Sequence, residues 1–498
     1  QVEKLDIDLC DEQGRICVQI RQLSSRALSG EIPGGRNGNE EDRTRVSGKL
    51  PAGTHQLVPV WDSVPIPKGE PVSGRTERIV IVGGTKEHRD AIQREYPQAH
   101  TLLFQEEDSI DQMAEKVKAC GWIDHLIWVA PPATAATLDD HAMVEEQNSG
   151  VIQLFRLIKA LLRLGYGSRE LGWSVITIQA QPIHPTDVVN PTHASIHGLV
   201  GSMAKEYPNW KIRLMDLEAK GEWPIADMFA LPADPQGNAW VYREQEWYRQ
   251  QLLPLDAPRT EETLYRSGGV YVVIGGAGGI GEVWSEYMIR TYQAQIIWIG
   301  RREKEETIQA KLDRLAALGP APHYITADAT NEQALRRAYE EIKERYGQIH
   351  GVVHSAIVLQ DKSLANMEEE RFRAALSAKV DVSVRMAQVF GKEALDFVMF
   401  FSSIGSFMKS PGQSNYSAGC TFKDAYAHQL AREWPCAVKV MNWGYWGSVG
   451  IVSKREYQER MMEQGIGSIE PPEAMENLEI LLAGPVNQMV LVKTTKPL

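Results

Sequence analysis

The chain has 498 residues, 43 % hydrophobic and 24 % charged, with 53 Lys and Arg against 65 Asp and Glu for a net charge of −12. That is the composition of a soluble protein with a core, long enough for about three domains or fewer at roughly 100–200 residues each. The acidic balance argues against nucleic acid as a main partner, and the longest apolar runs, VYVVIGGAGGIG and FVMFF, fall well short of the about 20 residues of a membrane span. No basic-then-apolar leader follows Gln1, so the chain reads as a piece of a longer polypeptide. Its cysteines (Cys10, Cys17, Cys120, Cys420 and Cys436) are odd in number and show no metal spacing. A reducing, cytoplasmic compartment and no metal site are therefore expected.

Residues 1 to about 30 read as two strands, LDIDLC and RICVQIR, joined by the turn DEQG. A Gly-, Pro- and charge-rich stretch follows, with no apolar period, and reads as a linker. Ordered structure is expected to resume near HQLVPVW at 55–61. From there strand-like runs alternate with amphipathic helical stretches in two passes. The first has strands at 78–84, 100–105, 125–130, 174–180 and 212–217. The second has them at 270–276, 295–301, 351–356, 397–403 and 438–444. A matching helix end precedes the last strand of each pass, AKEYP at 204–208 and AREWP at 431–435. The fold class is thus α/β, with two Rossmann-like, doubly wound halves. The expected division is 1–54 for the leading strands and linker, 55–257 for the first half and 258–498 for the second.

In the second half, strand VYVVI runs into Gly275-Gly276-Ala277-Gly278-Gly279-Ile280-Gly281, and a helical stretch follows. Glycine suits this place because the strand-to-helix turn is tight and a backbone without Cβ approaches a pyrophosphate closely. The flanking strand and helix raise the motif above a bare Gly-rich loop and predict dinucleotide binding. The next strand ends in Arg301-Arg302 where an NAD site wants an acid. Guanidinium suits a 2′-phosphate, so NADPH is favoured over two merely solvated arginines, with Arg301 the preferred contact. In the first half, RIVIVGG leads into Thr85-Lys86-Glu87-His88 without a further glycine, and no dinucleotide is expected there.

Downstream, FVMFFSSIGS carries Ser403, GQSNYSAG carries Tyr416 and an upstream helical stretch, SAKVDVSVRMAQVF, carries Lys379. Singly, each is structural in most proteins. Together with the Gly-rich loop, IGRR, TADAT, VVHSA and NWGYWG, they make the sequence resemble the short-chain dehydrogenase/reductase superfamily. The likeness is greatest to the ketoreductase domain of modular polyketide synthases and spans 56 to about 485. In ordinary superfamily members the lysine follows the tyrosine by four residues; in the synthase ketoreductases it lies upstream, as Lys379 does here.

The resemblance implies a noncatalytic structural subdomain followed by a catalytic one. It implies NADPH-dependent reduction of a β-ketoacyl thioester, borne on the phosphopantetheine arm of an acyl carrier protein within a chain of neighbouring synthase domains. Tyr416 is then the proton donor, Lys379 the charge that tunes it and Ser403 the carbonyl hydrogen-bond donor, with Ser402 an alternate. Asp328 and Ala329 are expected near the adenine and Ser355 and Ala356 beside the nicotinamide. For Asp328 a helix-capping role competes, and His354 is expected to be a satisfied strand-end histidine.

Two positions depart from the family pattern: Ala356-Ile357 lacks its usual glycine, and Cys420 replaces its Asn at Tyr+4. A thiol is a poor donor and acceptor, which puts proton resupply in question. The stretch Leu359-Gln360-Asp361 keeps the last acid of the pattern tied to a D-configured hydroxyl, and Met408 stands where the opposite class has Trp. Trp443, Tyr445 and Trp446 open a stretch resembling a substrate lid, with core packing the equal alternative for the aromatic cluster. LVPVW adds a likeness to synthases whose acyltransferase acts in trans. A silent scaffold, or a reductase of a free ketone, is the competing function.

Overall fold

The computed structural model describes residues 2–10, 16–26, 51–66, 78–184, 186–255, 263–450 and 455–497. Most of the expected linker, the turn at 11–14 and the expected boundary near 258 lie outside these residues. Two compact units are present, 1–50 and 51–498. In the first, Val2–Cys10 and Ile16–Arg26 pair as an antiparallel two-stranded sheet.

In the second unit the described strands form one 15-stranded sheet. Its C-terminal half runs in the order His323–Thr326, Gln295–Gly300, Val270–Ile274, Gly351–His354, Phe397–Ser403, Ala437–Trp443 and Gln488–Thr494, all parallel. The order reverses between Val270–Ile274 and Gly351–His354, which opens a crevice at their C-terminal ends. The N-terminal half repeats the plan with Trp210–Leu217, Leu171–Ile178, His125–Val129, Ile79–Gly83 and His100–Leu102. Strands such as Val270–Ile274 and His125–Val129 are buried at every residue, because helices cover both faces of a parallel sheet.

The two halves are not separate sheets. Gly53–Val64 pairs antiparallel with the last strand, Gln488–Thr494, on one side and with Glu246–Pro254 on the other. Glu246–Pro254 continues to Ala239–Arg243, which closes the ladder against Trp210–Leu217. The hairpin from 239 to 254 is not among the strands the sequence predicts. Its turn puts Glu244 and Gln245 at φ of 50° and 66° with neither glycine nor asparagine to announce it.

One hydrophobic core runs across the halves, with the rings of Phe155 of the first and Phe372 of the second tilted against each other at 4.7 Å. The closest approach is between the helices Pro191–Glu206 and Ser414–Glu433. Residues Pro191 through Ala204 are all buried, as expected of a helix covered on every side. At the crossing Gly198 lies on the other backbone; a Cβ there would stand 2.2 Å from the Ser417 carbonyl carbon and oxygen. Only glycine permits that contact without separating the helices.

Ser414–Glu433 is tied to the sheet by polar groups as well. Lys423 Nζ donates to the Phe401 carbonyl at 3.0 Å and lies 3.3 Å from His354 Nδ1. Asp424 accepts from Asn442 Nδ2 at 2.7 Å and Gln488 Nε2 at 3.1 Å. Asn442 also donates to the Ser403 carbonyl at 3.0 Å, so the strand end and the helix share one anchor. Burial pushes Lys423 down to about 7, with Lys379 adding to the shift, and pushes Asp424 up to about 6.

Two stability predictions result. Gly198→Ala forces the helices apart and should cost about 3 kcal/mol, read as a lower thermal midpoint. A lysine with a depressed native pKa carries fewer protons folded than unfolded between about 7 and the ordinary 10.5, so the native state gains as pH rises through that window. Comparing wild type with Lys423→Met by denaturant unfolding, the difference should therefore move in favour of wild type from neutral to alkaline pH.

Candidate active site

The strand Val270–Ile274 delivers the Gly-rich loop to the mouth of the crevice, where the helix Gly279–Tyr292 begins. Gly275 has φ +86°, and a Cβ at Gly276 would stand 2.1 Å from the Trp298 ring. The N-cap, Gly278, offers no side chain, so the first N–H groups of the helix are left for a ligand. A cavity of about 1530 Å³ opens there. Gly275, Gly278, Gly279, Arg301, Arg302, Asp328, Ala329, Ser355 and Ala356 line it. Gly276 and Gly281 instead face each other inside the loop, and Ile280 packs on the core behind it.

Arg301 is exposed and makes no ion pair among the described residues, whereas Arg302 pairs with Glu305 at 3.2 Å. Asp328 Oδ1 accepts from Thr330 N at 3.0 Å and Thr330 Oγ1 at 2.8 Å, a turn-capping arrangement on the cavity wall. Lys311, not singled out by the sequence reading, donates to the Ala277 carbonyl at 2.9 Å and pairs with Glu282 at 2.6 Å, bracing the loop. Its only signal is a place on an amphipathic helix, which any surface lysine shares.

The equivalent corner of the first half is built differently. Thr85 and His88 form a capping box on the helix Lys86–Glu95, and His88 stacks on Trp223 at 4.1 Å. Arg89 donates to the Gly83 and Gly84 carbonyls at 3.2 Å and 2.6 Å. That helix end is thus filled by its own side chains.

Ser403, Tyr416 and Lys379 meet from three elements. Ser403 ends the strand Phe397–Ser403, and its Oγ accepts from Gly405 N at 3.0 Å. Tyr416 lies in the first turn of Ser414–Glu433, and its N–H donates to Asn415 Oδ1 at 2.8 Å. Its ring and Ser403 converge over Gly405, where a Cβ would stand 3.1 Å from Tyr416 Cε1 and 3.3 Å from Ser403 Oγ. Lys379 caps the helix Val380–Phe390 and is only 2 % exposed. Its Nζ stands 4.2 Å from the centre of the Tyr416 ring and has no hydrogen-bond partner among the described residues. Gly419 makes room for it, since a Cβ there would meet Lys379 Cδ at 2.6 Å. Ser377 and Ala378, just before Lys379, line the same cavity as the Gly-rich loop.

Burial raises the Tyr416 phenol well above its ordinary value, with the nearby Cys420 adding to the rise and Ser403 opposing it. Burial lowers Lys379, which Cys420, Asp361 and Asp424 partly offset. The Cys420 thiol is fully buried and raised by desolvation. His354 is buried too and held neutral, well below its ordinary value, by burial and by Lys423.

Asp361 accepts from Gln413 Nε2 at 2.8 Å, and burial raises its carboxyl. Asn415 Nδ2 donates to the Gln360 carbonyl at 3.1 Å. Gln413 and Asn415 escape sequence reasoning because only adjacency to Tyr416 marks them. Met408 is 54 % exposed at the end of the short helix Gly405–Met408. Trp443 and Trp446 correct the lid expectation. Both are 3 % exposed and packed edge-to-face 5.1 Å apart in the core, with Phe401 against Trp443. The strand that carries Trp443 has all but its first residue buried, so its rings fill the sheet face. The remaining stretch of the expected lid at 451–454 lies outside the described residues.

Residues 269–448 match the family model described as "KR domain". Polyketide synthase PksN of Bacillus subtilis (strain 168) is 52 % identical over 495 residues, 99 % of this chain and 9 % of the relative. Polyketide synthase PksM of the same organism is 50 % identical over 497 residues, 100 % of this chain and 11 % of the relative. The chain therefore spans about a tenth of the length of these curated relatives. Among solved structures, an N-terminal ketoreductase from the macrolactin assembly line superposes with a TM-score of 0.73 at 19 % identity, covering 89 % of this chain and 92 % of that one. At that identity the likeness bears on the fold alone. Residues 269–448, which hold the Gly-rich loop and the Ser–Tyr–Lys cluster, are therefore a KR domain, the ketoreductase domain of polyketide synthases, within a chain similar to polyketide synthases over 99 % of its length.

Proposed function

We propose that the chain reduces a carrier-protein-bound β-ketoacyl thioester to the D-configured β-hydroxyacyl thioester with NADPH, as part of a longer synthase served by an acyltransferase in trans. The observation that carries this reading is the convergence of Ser403 and the Tyr416 ring over Gly405, with Lys379 Nζ, unpartnered among the described residues, 4.2 Å from the ring centre. The residues around the cavity fit a dinucleotide. The uncapped helix start at Gly278 suits a pyrophosphate, and the free guanidinium of Arg301 suits a 2′-phosphate. NADPH held there supplies a hydride to the β-carbon.

The chain's own residues manage the oxygen. Ser403 Oγ donates to the carbonyl oxygen as negative charge builds on it. Tyr416 gives its phenolic proton to that oxygen. Desolvation alone makes the phenol a reluctant acid. Lys379, close to the ring and committed to no other partner, stabilises the phenolate left behind. Asp361, held by Gln413 Nε2 three residues before Tyr416, is the acid on which the D-configured assignment rests. Cys420 offers a thiol where the family has an amide, so recharging of the phenol relies on Lys379 and on water at the cleft.

Loss of NADPH absorbance with a β-ketoacyl thioester tests the reading. Tyr416→Phe should lower kcat about 1,000-fold and Ser403→Ala about 100-fold or more, with the D-alcohol from wild type identified by chiral chromatography. No oxidation by wild type would favour a silent scaffold, and oxidation unchanged in Tyr416→Phe would remove the assigned acid. Arg301→Ala should raise KM for NADPH about tenfold while leaving that for NADH nearly unchanged; equal loss for both cofactors would refute the 2′-phosphate contact.

A further inference from the structure

Glu206 is the last residue of the helix Pro191–Glu206, in the half that carries none of the reacting groups. A carboxylate at a helix C-terminus opposes the helix dipole, so local structure gives no reason for it. Its partners lie in the other half. Glu206 Oε2 accepts from the Leu364 N–H at 2.7 Å, and Oε1 accepts from the Gly412 N–H at 2.9 Å. No cation pairs with Glu206 among the described residues; its charge is directed at these two amides and, more distantly, at Ser202 Oγ at 3.4 Å. Such charge-assisted bonds to N–H groups are among the stronger ones a surface loop can have.

The two amides belong to the two loops that flank the phenol. The first carries Gln360 and Asp361, and the second carries Gln413 and leads to Asn415 and Tyr416. Gln413 donates to Asp361 and Asn415 donates to the Gln360 carbonyl, so the loops are cross-tied next to Tyr416 as well. Other groups from the first half join on either side. Lys159 Nζ donates to the Leu364 and Ala365 carbonyls at 2.9 Å and 2.6 Å, and Ser202 Oγ donates to the Ser410 carbonyl at 2.8 Å. Among the described residues of the first half, Glu206 alone reaches both loops, one oxygen to each, so its carboxylate bears on their separation.

We propose that Glu206 is a positioning residue for the acyl substrate: by holding the loops at 360–366 and 409–413 at a set distance, it fixes the slot through which the thioester reaches Tyr416 and the face it presents. This rests on the ketoreductase reading for its consequence in turnover, but not for the clamp itself. Glu206 touches neither substrate nor cofactor, so NADPH binding is independent of it.

The test uses Glu206→Gln in the full chain, with Lys159→Met as a second variant that removes a contact to the first loop only. Hydrogen exchange, NADPH affinity, steady-state constants for a β-ketoacyl thioester and product configuration are measured. In Glu206→Gln, exchange should rise about tenfold in both segments. NADPH affinity should hold, while kcat/KM for the thioester falls about tenfold, chiefly through KM, and some of the opposite alcohol appears. Lys159→Met should loosen 360–366 only. Unchanged exchange in Glu206→Gln, or raised exchange with KM and configuration as in wild type, would overturn the proposal, as would loosening of both loops by Lys159→Met. If wild type itself turned over no thioester, the ketoreductase reading would fail, and the clamp would still stand or fall on the exchange of the two segments.

Discussion

The backbone contact between Gly198 and Ser417 is the constraint from which the rest of the site follows. It seats the helix bearing Tyr416 against a helix of the other half at a distance that no side chain permits. Burial on that scale removes any choice of tilt or register. Lys423 and Asp424 then pin the same helix to the sheet beneath it, through Phe401, Asn442 and Gln488. A phenol at the helix start inherits that rigidity, which is what a group asked to deliver a proton along one line requires.

Lys379 shows how such rigidity turns into chemistry. A lysine four residues beyond the tyrosine would share its helix; here the ammonium arrives from a separate helix and enters a space kept open by Gly419. Desolvation is costly for a cation without hydrogen bonds, and the ring of Tyr416 compensates only in part. That cost is tolerable if the charge is stabilised most when the phenol has lost its proton. In the proposed reaction the arrangement is thus poorer for the resting protein than for the moment of proton transfer, as differential binding demands.

Much of this was legible in the residues. The Gly-rich loop between a strand and a helix, the paired arginines after the next strand and the Ser403, Tyr416 and Lys379 trio are marked by type and spacing, and the folded chain brings the trio together. What stayed hidden has physical reasons. The hairpin from 239 to 254 turns on Glu244 and Gln245, residues that seldom adopt positive φ, so no turn signal precedes it. Lys423 and Asp424 carry no signal in the sequence, where charged helix positions ordinarily face solvent; Lys423 is buried and Asp424 half-buried because the polar atoms opposite them come from strands distant along the chain. Trp443 and Trp446 look equally like lid or core until the sheet face they fill is known. Glu206 acts on Leu364 and Gly412, more than 150 residues away, a pairing that no local pattern encodes.

The strand Gly53–Val64 belongs by sequence to the first half, yet lies as a ladder partner on Gln488–Thr494 of the second. A cut that retained only the reactive half would strip that partner away and bare a row of unpaired amides and carbonyls along its last strand. Such an edge invites self-association. Any transplant of this chain into another protein therefore has to carry the whole sheet, from its inserted strand onward, as one inheritable part.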